Sequence, residues 1–235
     1  MAKSSGRPDR PGARAEGGAH PAAEGRVRHR RRLLFTVGGV IAVAIAVALV
    51  VGLPRTTSPA NTGPEGISLE PAAALASAST AASGQSLDGI ACSTTEQVAY
   101  HIHAHLTVYV GGQARSIPYG IGVVTPVPAT TPNGVFVQAS NCYYWLHTHA
   151  SDGIIHIESP TQTRYTLGQF FDIWQQPLSA TQVGPAVGPV TAYVNGEPAT
   201  GNPRDIVLQP HEDIQLDVGT PATAPQPVDW SRSQL

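Results

Sequence analysis

The sequence is poor in the residues and motifs that several common functional sites require. Met1 is the only methionine, so a copper(I) site rich in thioether ligands is excluded. The chain contains no Ser-His-Asp pattern, no glycine-rich phosphate loop and no His-Glu-x-x-His motif. From Pro54 onward it has no lysine, and five arginines stand against thirteen acidic residues. What the chain does have is nine histidines, six of which fall in two short segments.

Basic residues are concentrated at the N-terminus, next to a long apolar segment. Residues 1–32 hold nine of the fourteen basic residues and almost no large apolar ones, which predicts a disordered cytoplasmic tail. Residues 33–53 carry no charge, and as a helix they would span about 31 Å, which predicts a transmembrane helix with the lipid bilayer as partner. The positive-inside rule then places the rest of the chain outside the cytoplasm, and we expect no nucleic-acid partner. The alternative is a cleaved signal peptide with Ala46-Val47-Ala48 as its cleavage motif.

Composition divides the remaining chain into three parts. Residues 54–89 consist mainly of Ala, Ser, Thr, Pro and Gly, which predicts a flexible linker. Residues 90–219 form the predicted extracytoplasmic domain, and residues 220–235 a flexible tail. Cys92 and Cys142 each precede a histidine-rich segment, and outside the cytoplasm an even pair predicts a disulfide. In the alternative interpretation one or both cysteines are thiolate metal ligands.

The two histidine-rich segments alternate histidine with apolar residues, as half-buried strands do. Residues 100–110 predict one strand with its histidines on a single face. Residues 142–158 predict a β-hairpin whose turn lies within residues 150–153. A loop of either two or four residues keeps the histidines of both arms on one face. The histidines of the two segments, which we expect to meet, are His101, His103, His105, His147, His149 and His156.

Strand geometry limits how these histidines can share a metal ion. Same-face neighbours on a strand are about 6.6 Å apart, so two of them can lean toward one ion with bonds of about 2.0–2.1 Å. We therefore expect two of His101, His103 and His105 to bind, together with partners from the second segment, while the third orients a ligand. Two ions are an alternative. Imidazole donors favour Zn or Cu, and Glu158 could be a further ligand or, in an enzyme, the general base.

The fold prediction rests on one helix signal among many strand signals. Thr166 and Gln169 have the spacing of a capping box, and an apolar stripe follows in a helix that Pro177 ends. Strands are predicted at 101–110, 113–119, 190–194, 206–209 and 214–218, with a loop at 184–189 and a loop-like stretch at 120–138 in which residues 135–137 could add a short strand. This order predicts an α+β fold with a mostly antiparallel sheet and one short helix packed on it. The order is similar to a β-grasp arrangement with an inserted histidine hairpin.

Three motifs together resemble those of an uncharacterised group of membrane-anchored or secreted bacterial and archaeal proteins. The motifs are the alternating histidines from His101, the stretch from Leu146 to Pro160, and the stretch from Tyr165 to Trp174. The resemblance covers about residues 90–218. It implies that the hairpin and the helix belong to one domain, and it implies no activity.

Three functions compete on these observations. The first is an extracytoplasmic metal-binding module for sensing, storage, delivery or stabilisation. The second is a hydrolytic or redox metalloenzyme, which needs an open coordination position and a nearby acid or base such as Glu158. The third is an interaction domain whose histidines are incidental or sense pH.

Overall fold

The computed structural model describes residues 62–69, 71–233 and 235, all of which lie in one contact unit, residues 57–235. The predictions of a basic tail and of a transmembrane helix at 33–53 lie outside these residues. Within the described part of the chain, no helix is long and apolar enough to cross a membrane.

The described residues form fifteen strands and one α-helix. The helix is α1 (Leu167–Trp174), and single turns of 3₁₀ helix lie at Ala78–Thr80, Pro203–Asp205 and Trp230–Arg232. The strands are β1 (Cys92–Ser93), β2 (Tyr100–Val110), β3 (Gln113–Arg115), β4 (Val123–Val124), β5 (Val127–Thr131), β6 (Gly134–Ala139), β7 (Cys142–Tyr144), β8 (Leu146–His147), β9 (Ile154–Ser159), β10 (Leu178–Ser179), β11 (Gln182–Val183), β12 (Ala186–Val187), β13 (Val190–Val194), β14 (Glu197–Ala199) and β15 (Glu212–Val218).

A seven-stranded sheet is the centre of the fold. Its order is β14-β13-β15-β2-β9-β8, with β3 paired to the far end of β2. β2, the longest strand, lies in the middle of the sheet between β15 and β9. It runs parallel to β15 and antiparallel to β9. Two small three-stranded sheets, β1-β7-β4 and β10-β11-β12, and the hairpin β5-β6 complete the architecture.

One face of this sheet packs against α1. The helix begins at the predicted capping box, in which Thr166 and Gln169 bond to each other's backbone, so this part of the prediction is confirmed. Its fully buried aromatic residues join apolar side chains from β2, β9 and β15 in one core. Because side chains alternate along a strand, the residues between the apolar positions of β2 face the opposite side, and these are the histidines.

The fold-class prediction of an α+β, β-grasp-like domain is wrong. The described residues are mostly β-sheet, with a single helix of eight residues. Residues 120–138, expected to be loop-like apart from a short strand at 135–137, contain β4, β5 and most of β6, and β6 includes that short strand. Pro128 is accommodated beside a bulge in the two-stranded hairpin β5-β6. The expected strand at 206–209 makes only one bridge, Val207 with Thr166, and it follows the 3₁₀ turn Pro203–Asp205.

Two segments expected to be flexible pack on the domain. In the predicted linker, Ile67, Leu75 and Ala82 are buried, and the Ala82 backbone N–H donates to the Ile173 carbonyl at 2.8 Å. In the predicted tail, the Trp230 indole N–H donates to Asp213 at 2.8 Å. Isolated apolar residues therefore anchor the predicted linker, whereas hydrogen bonds to Asp213 and Asp217 anchor the predicted tail.

The predicted disulfide between Cys92 and Cys142 is confirmed. It joins β1 to β7, which are also paired as strands, with Cys92 opposite Tyr144. The bond therefore holds the residues just before β2 beside the residues just before β8, so the two histidine-rich segments start close together. It also excludes both cysteines as thiolate ligands.

Candidate metal centre

Three neighbouring strands bring the predicted histidines together on one face of the central sheet. The register of β2 with β9 sets His103 opposite His156 and His101 opposite Glu158. β8, on the other side of β9, sets His147 opposite His156, which is the register of the four-residue loop. The His156 ring centre consequently lies 4.5 Å from that of His103 and 5.3 Å from that of His147. The histidines of both segments therefore meet, as expected.

A first group of four donor atoms closes into a ring at the β2 side of the cluster. His101 Nε2 lies 3.0 Å from His103 Nε2, which lies 3.2 Å from His156 Nδ1. The same His156 atom lies 3.1 Å from Glu158 Oε1, and that oxygen lies 3.1 Å from His101 Nε2. A tetrahedral ion with bonds of about 2.0–2.1 Å holds its donors about 3.3 Å apart. The spacing of this group fits such an ion.

A second group lies at the β8 side. His147 Nε2 is 3.0 Å from His149 Nε2 and 4.0 Å from Glu158 Oε1. One donor atom from each of His147, His149, His156 and Glu158 lies within 4.8 Å of the others. Glu96, on the loop before β2, adds a carboxylate oxygen 3.2 Å from His149 Nε2. The two groups therefore share His156 and Glu158, and each could hold a metal ion.

Backbone carbonyls fix which ring nitrogen points into the second group. The Nδ1–H of His147 donates to the Tyr144 carbonyl at 2.8 Å, and the Nδ1–H of His149 donates to the Val137 carbonyl at 2.8 Å. A carbonyl only accepts, so each Nδ1 carries the proton and the Nε2 of the neutral ring is a bare lone pair. Two such lone pairs then face each other at 3.0 Å, an arrangement that a metal ion beside them, or a proton on one of the two rings, relieves.

Burial keeps three of these imidazoles neutral in the metal-free protein. Burial, followed by the charge of His156, lowers the pKa of His103 to about 3. Burial also lowers the pKa of His147 well below its ordinary value, and it lowers that of His149. Neutral imidazole is the form that binds metals, so these rings are available as ligands at neutral pH.

His156 differs because carboxylates contact both of its ring nitrogens. Its Nδ1 faces Glu158 at 3.1 Å, and its Nε2–H donates to Glu65 at 2.5 Å. Burial opposes the charged ring, but the hydrogen bonds to Glu158 and Glu65 raise the pKa of His156 to about 9. An ion at Nδ1 would displace a proton and leave the Nε2–H···Glu65 bond in place, an arrangement that commonly orients metal-binding histidines.

A second buried carboxyl group accompanies Glu65. The Glu65 backbone N–H donates to the Asp152 carboxylate at 3.4 Å. Burial, followed by the negative charge of Glu65, raises the pKa of Asp152 to about 8. Asp152 is therefore largely protonated at neutral pH, and the charge of the pair stays on Glu65 beside His156.

Two of the histidines that the structure describes lie outside the cluster. His105, one of the predicted ligands, belongs to neither donor group; its Nε2–H donates to the Asp152 carbonyl at 2.8 Å, and its Nδ1 accepts from Thr107. His105 therefore contacts the hairpin turn, whereas the sequence predicted that the third histidine of β2 would orient a metal ligand. His211 stacks on Trp230 at the surface, with ring centres 4.6 Å apart.

Two acidic residues of the cluster were missed by sequence reasoning. Glu65 lies in the segment expected to be a linker, 91 residues from His156, and Glu96 lies in a loop with no motif around it. The only signal near Glu65 was Ile67, an isolated large apolar residue in a polar stretch, which is buried in the structure.

The donor set fits a transition-metal ion. Five imidazoles and Glu158 converge, all but His101 are buried, and the second oxygen of Glu158 is buried without a hydrogen-bond partner among the described residues. A buried carboxylate oxygen without a partner is costly unless a cation is near.

Comparison with known proteins adds no family to this description. No protein-family model, curated protein or solved structure gives a significant match to the chain. The motif resemblance to a group of membrane-anchored or secreted proteins therefore stays a prediction.

Proposed function

We propose that this protein binds a divalent transition metal, Zn²⁺ or Cu²⁺, through the histidine–glutamate cluster on its central sheet. The observation that carries the proposal is the pair His147 and His149, whose lone-pair nitrogens face each other at 3.0 Å while backbone carbonyls hold both rings in place. Satisfied core histidines point a nitrogen lone pair at a donor. Here the nearest group is another lone pair, which a metal ion would bind.

The chemistry of the donors supports the choice of metal. The cluster offers imidazole nitrogens and carboxylate oxygens, and the two cysteines are joined in a disulfide. Imidazole donors suit Zn²⁺ and Cu²⁺, whereas Mg²⁺ and Ca²⁺ require oxygen ligands. The disulfide also supports an oxidising compartment outside the cytoplasm as the place where the ion is bound.

A metalloenzyme is the second candidate, and one observation favours it. The His101 side chain is 39% exposed while the rest of its donor group is buried, so an ion held there would lie at the surface. A surface ion with an open position could polarise a substrate or activate water. X-ray absorption on the metal-loaded protein separates the candidates, because a closed shell of protein ligands disfavours catalysis.

Metal analysis of the full-length protein tests the proposal. After chelation and dialysis against Zn²⁺ or Cu²⁺, elemental analysis should find bound metal in the wild type. A His147→Ala/His149→Ala variant should lose at least part of it, and His211→Gln, on the surface outside the cluster, should keep it all. A wild-type protein that remains metal-free with both ions would overturn the proposal.

A further inference from the structure

The number of inward-facing donors exceeds what one ion can use. A four-coordinate ion in the first group uses His101, His103, His156 and Glu158. His147 and His149 then remain as a buried pair of opposed lone pairs, since their other nitrogens are bonded to carbonyls. An ion in the second group has the reverse effect and leaves His101 facing His103 at 3.0 Å. Either single occupancy leaves a pair of imidazoles without a cation.

Glu158 lies between the two pairs. Its Oε1 is 3.1 Å from His101 Nε2 and 4.0 Å from His147 Nε2. Its Oε2 is buried and has no hydrogen-bond partner among the described residues. A carboxylate can offer one oxygen to each of two ions, and two-metal sites hold ions about 3.5–4 Å apart. The free oxygen of Glu158 is therefore suited to a bridge.

Glu96 completes the second set of donors. Its Oε1 lies 3.2 Å from His149 Nε2, and its side chain is 37% exposed. It comes from the loop between β1 and β2. With Glu96, each ion has four donors from this chain, and each set reaches solvent at one residue.

We propose, on the basis of the metal-binding function above, that the cluster holds two ions bridged by Glu158. One is bound by His101, His103 and His156, and the other by His147, His149 and Glu96. Glu65 holds the Nε2–H of His156, so His156 binds through Nδ1 to the first ion alone.

Stoichiometry on the full-length protein tests the second ion. Titration of the metal-free protein with Co²⁺, followed by its visible absorption, and elemental analysis after Zn²⁺ loading should both give two ions per chain. Cu²⁺ loading should give an electron paramagnetic resonance signal well below that of two isolated ions, because a carboxylate bridge couples their spins.

Separated variants should each remove one ion. His101→Ala/His103→Ala and His147→Ala/His149→Ala should both bind one ion per chain, and Glu158→Gln should abolish the spin coupling. Glu96→Gln, a change in a partly exposed loop residue, removes a charged ligand of the second ion and should weaken that site while the first site keeps its affinity. His211→Gln should bind two ions with wild-type affinity.

The outcomes are distinguishable. One ion per wild-type chain, lost entirely in one double variant and retained in the other, would overturn the two-ion proposal and leave the metal-binding function standing. No bound metal would overturn both. Two ions without spin coupling would overturn the Glu158 bridge.

Discussion

The central sheet is buried on both faces, but by opposite chemistry. The face under α1 is filled by apolar side chains such as Leu106, Ile155 and Phe171, whose burial stabilises the fold at any pH. The other face buries His147, His156 and Glu158 almost as completely. Buried polar groups oppose folding unless they are paired. Equal burial therefore affects stability in two ways in this sheet. The contribution of the apolar face comes from packing alone, and that of the histidine face depends on bound protons and ions.

The largest expected effect is a loss of folding stability in acid, caused by the buried histidines of the second face. His103, His105, His147 and His149 have lowered pKa values in the folded chain, so below about pH 6.5 the unfolded chain binds protons that the folded one does not, and stability falls as pH falls. Each such group contributes about 1.4 kcal/mol per pH unit, and for His103 the loss continues to about pH 3.

Asp152 acts with the opposite sign, because its raised pKa lets the folded state hold a proton up to about pH 8. The raised pKa values of Asp88, Glu96 and Glu212 act in the same direction, and we expect these carboxyl groups to offset only part of the effect of the four histidines. Denaturant unfolding of the chelated full-length protein at pH 7 and pH 5 measures the sum. Equal or greater stability at pH 5 would contradict the assignment of neutral, buried histidines.

The next largest effect is on the apolar face. Phe171→Ala removes a fully buried ring from the core and should lower the free energy of unfolding by about 3–5 kcal/mol. Because the change lies on the other face, the loss should be the same, within about 0.5 kcal/mol, with metal and with chelator. A loss that depends on metal would show that the two faces are coupled.

Metal removal should lower the stability of the folded state only through the histidine face. At a metal concentration of 100 times Kd, an ion stabilises the folded state by about 2.7 kcal/mol, which chelation removes. In His147→Ala/His149→Ala this difference should shrink, and in Phe171→Ala it should persist. Thermal unfolding with and without chelator makes the measurement, and a double variant that responds to chelator as fully as the wild type would contradict the site.

The smallest effect is expected at Glu65. Glu65→Gln keeps the side-chain shape but removes the charge that accepts the Nε2–H of His156. Metal affinity should fall about 10–100-fold, the usual effect of removing such an orienting partner. Competition with a chromophoric chelator measures the affinity, and nuclear magnetic resonance of the His156 Nε2–H should show a weakened hydrogen bond. Unchanged affinity would limit Glu65 to a structural role.

Local patterns in the sequence predicted the site better than the fold. Alternation along residues 100–110 and the even loop of the hairpin predicted that the histidines of the two segments share one face, and five of the six converge there, because strand periodicity decides which face a side chain occupies. The capping box predicted the start of α1 for the same local reason. His105 lies outside both donor groups, because its Nε2–H donates to the Asp152 carbonyl in the hairpin turn.

Long-range contacts were beyond such patterns. The pairing of Glu65 with His156 joins residues 91 apart, and no spacing rule predicts it. Composition made the segment around Glu65 look like a tether, yet Ile67 is buried and Glu65 accepts a hydrogen bond from His156 on the central sheet. Likewise, short strands such as β4 and β12 form because neighbours in space complete their hydrogen bonds, which the local sequence does not record.

The position of Glu65 has a practical consequence for anyone who expresses the domain alone. A fragment cut at residue 90, where composition suggests a boundary, would lack Glu65 and would uncover the Trp174 indole, which donates to the Ser77 carbonyl at 2.9 Å. Such a shortened chain would hold its histidines without the carboxylate that aligns the central ring. Expression should therefore start upstream of residue 62, so that the segment with Glu65 and Ser77 is included with the sheet on which it packs.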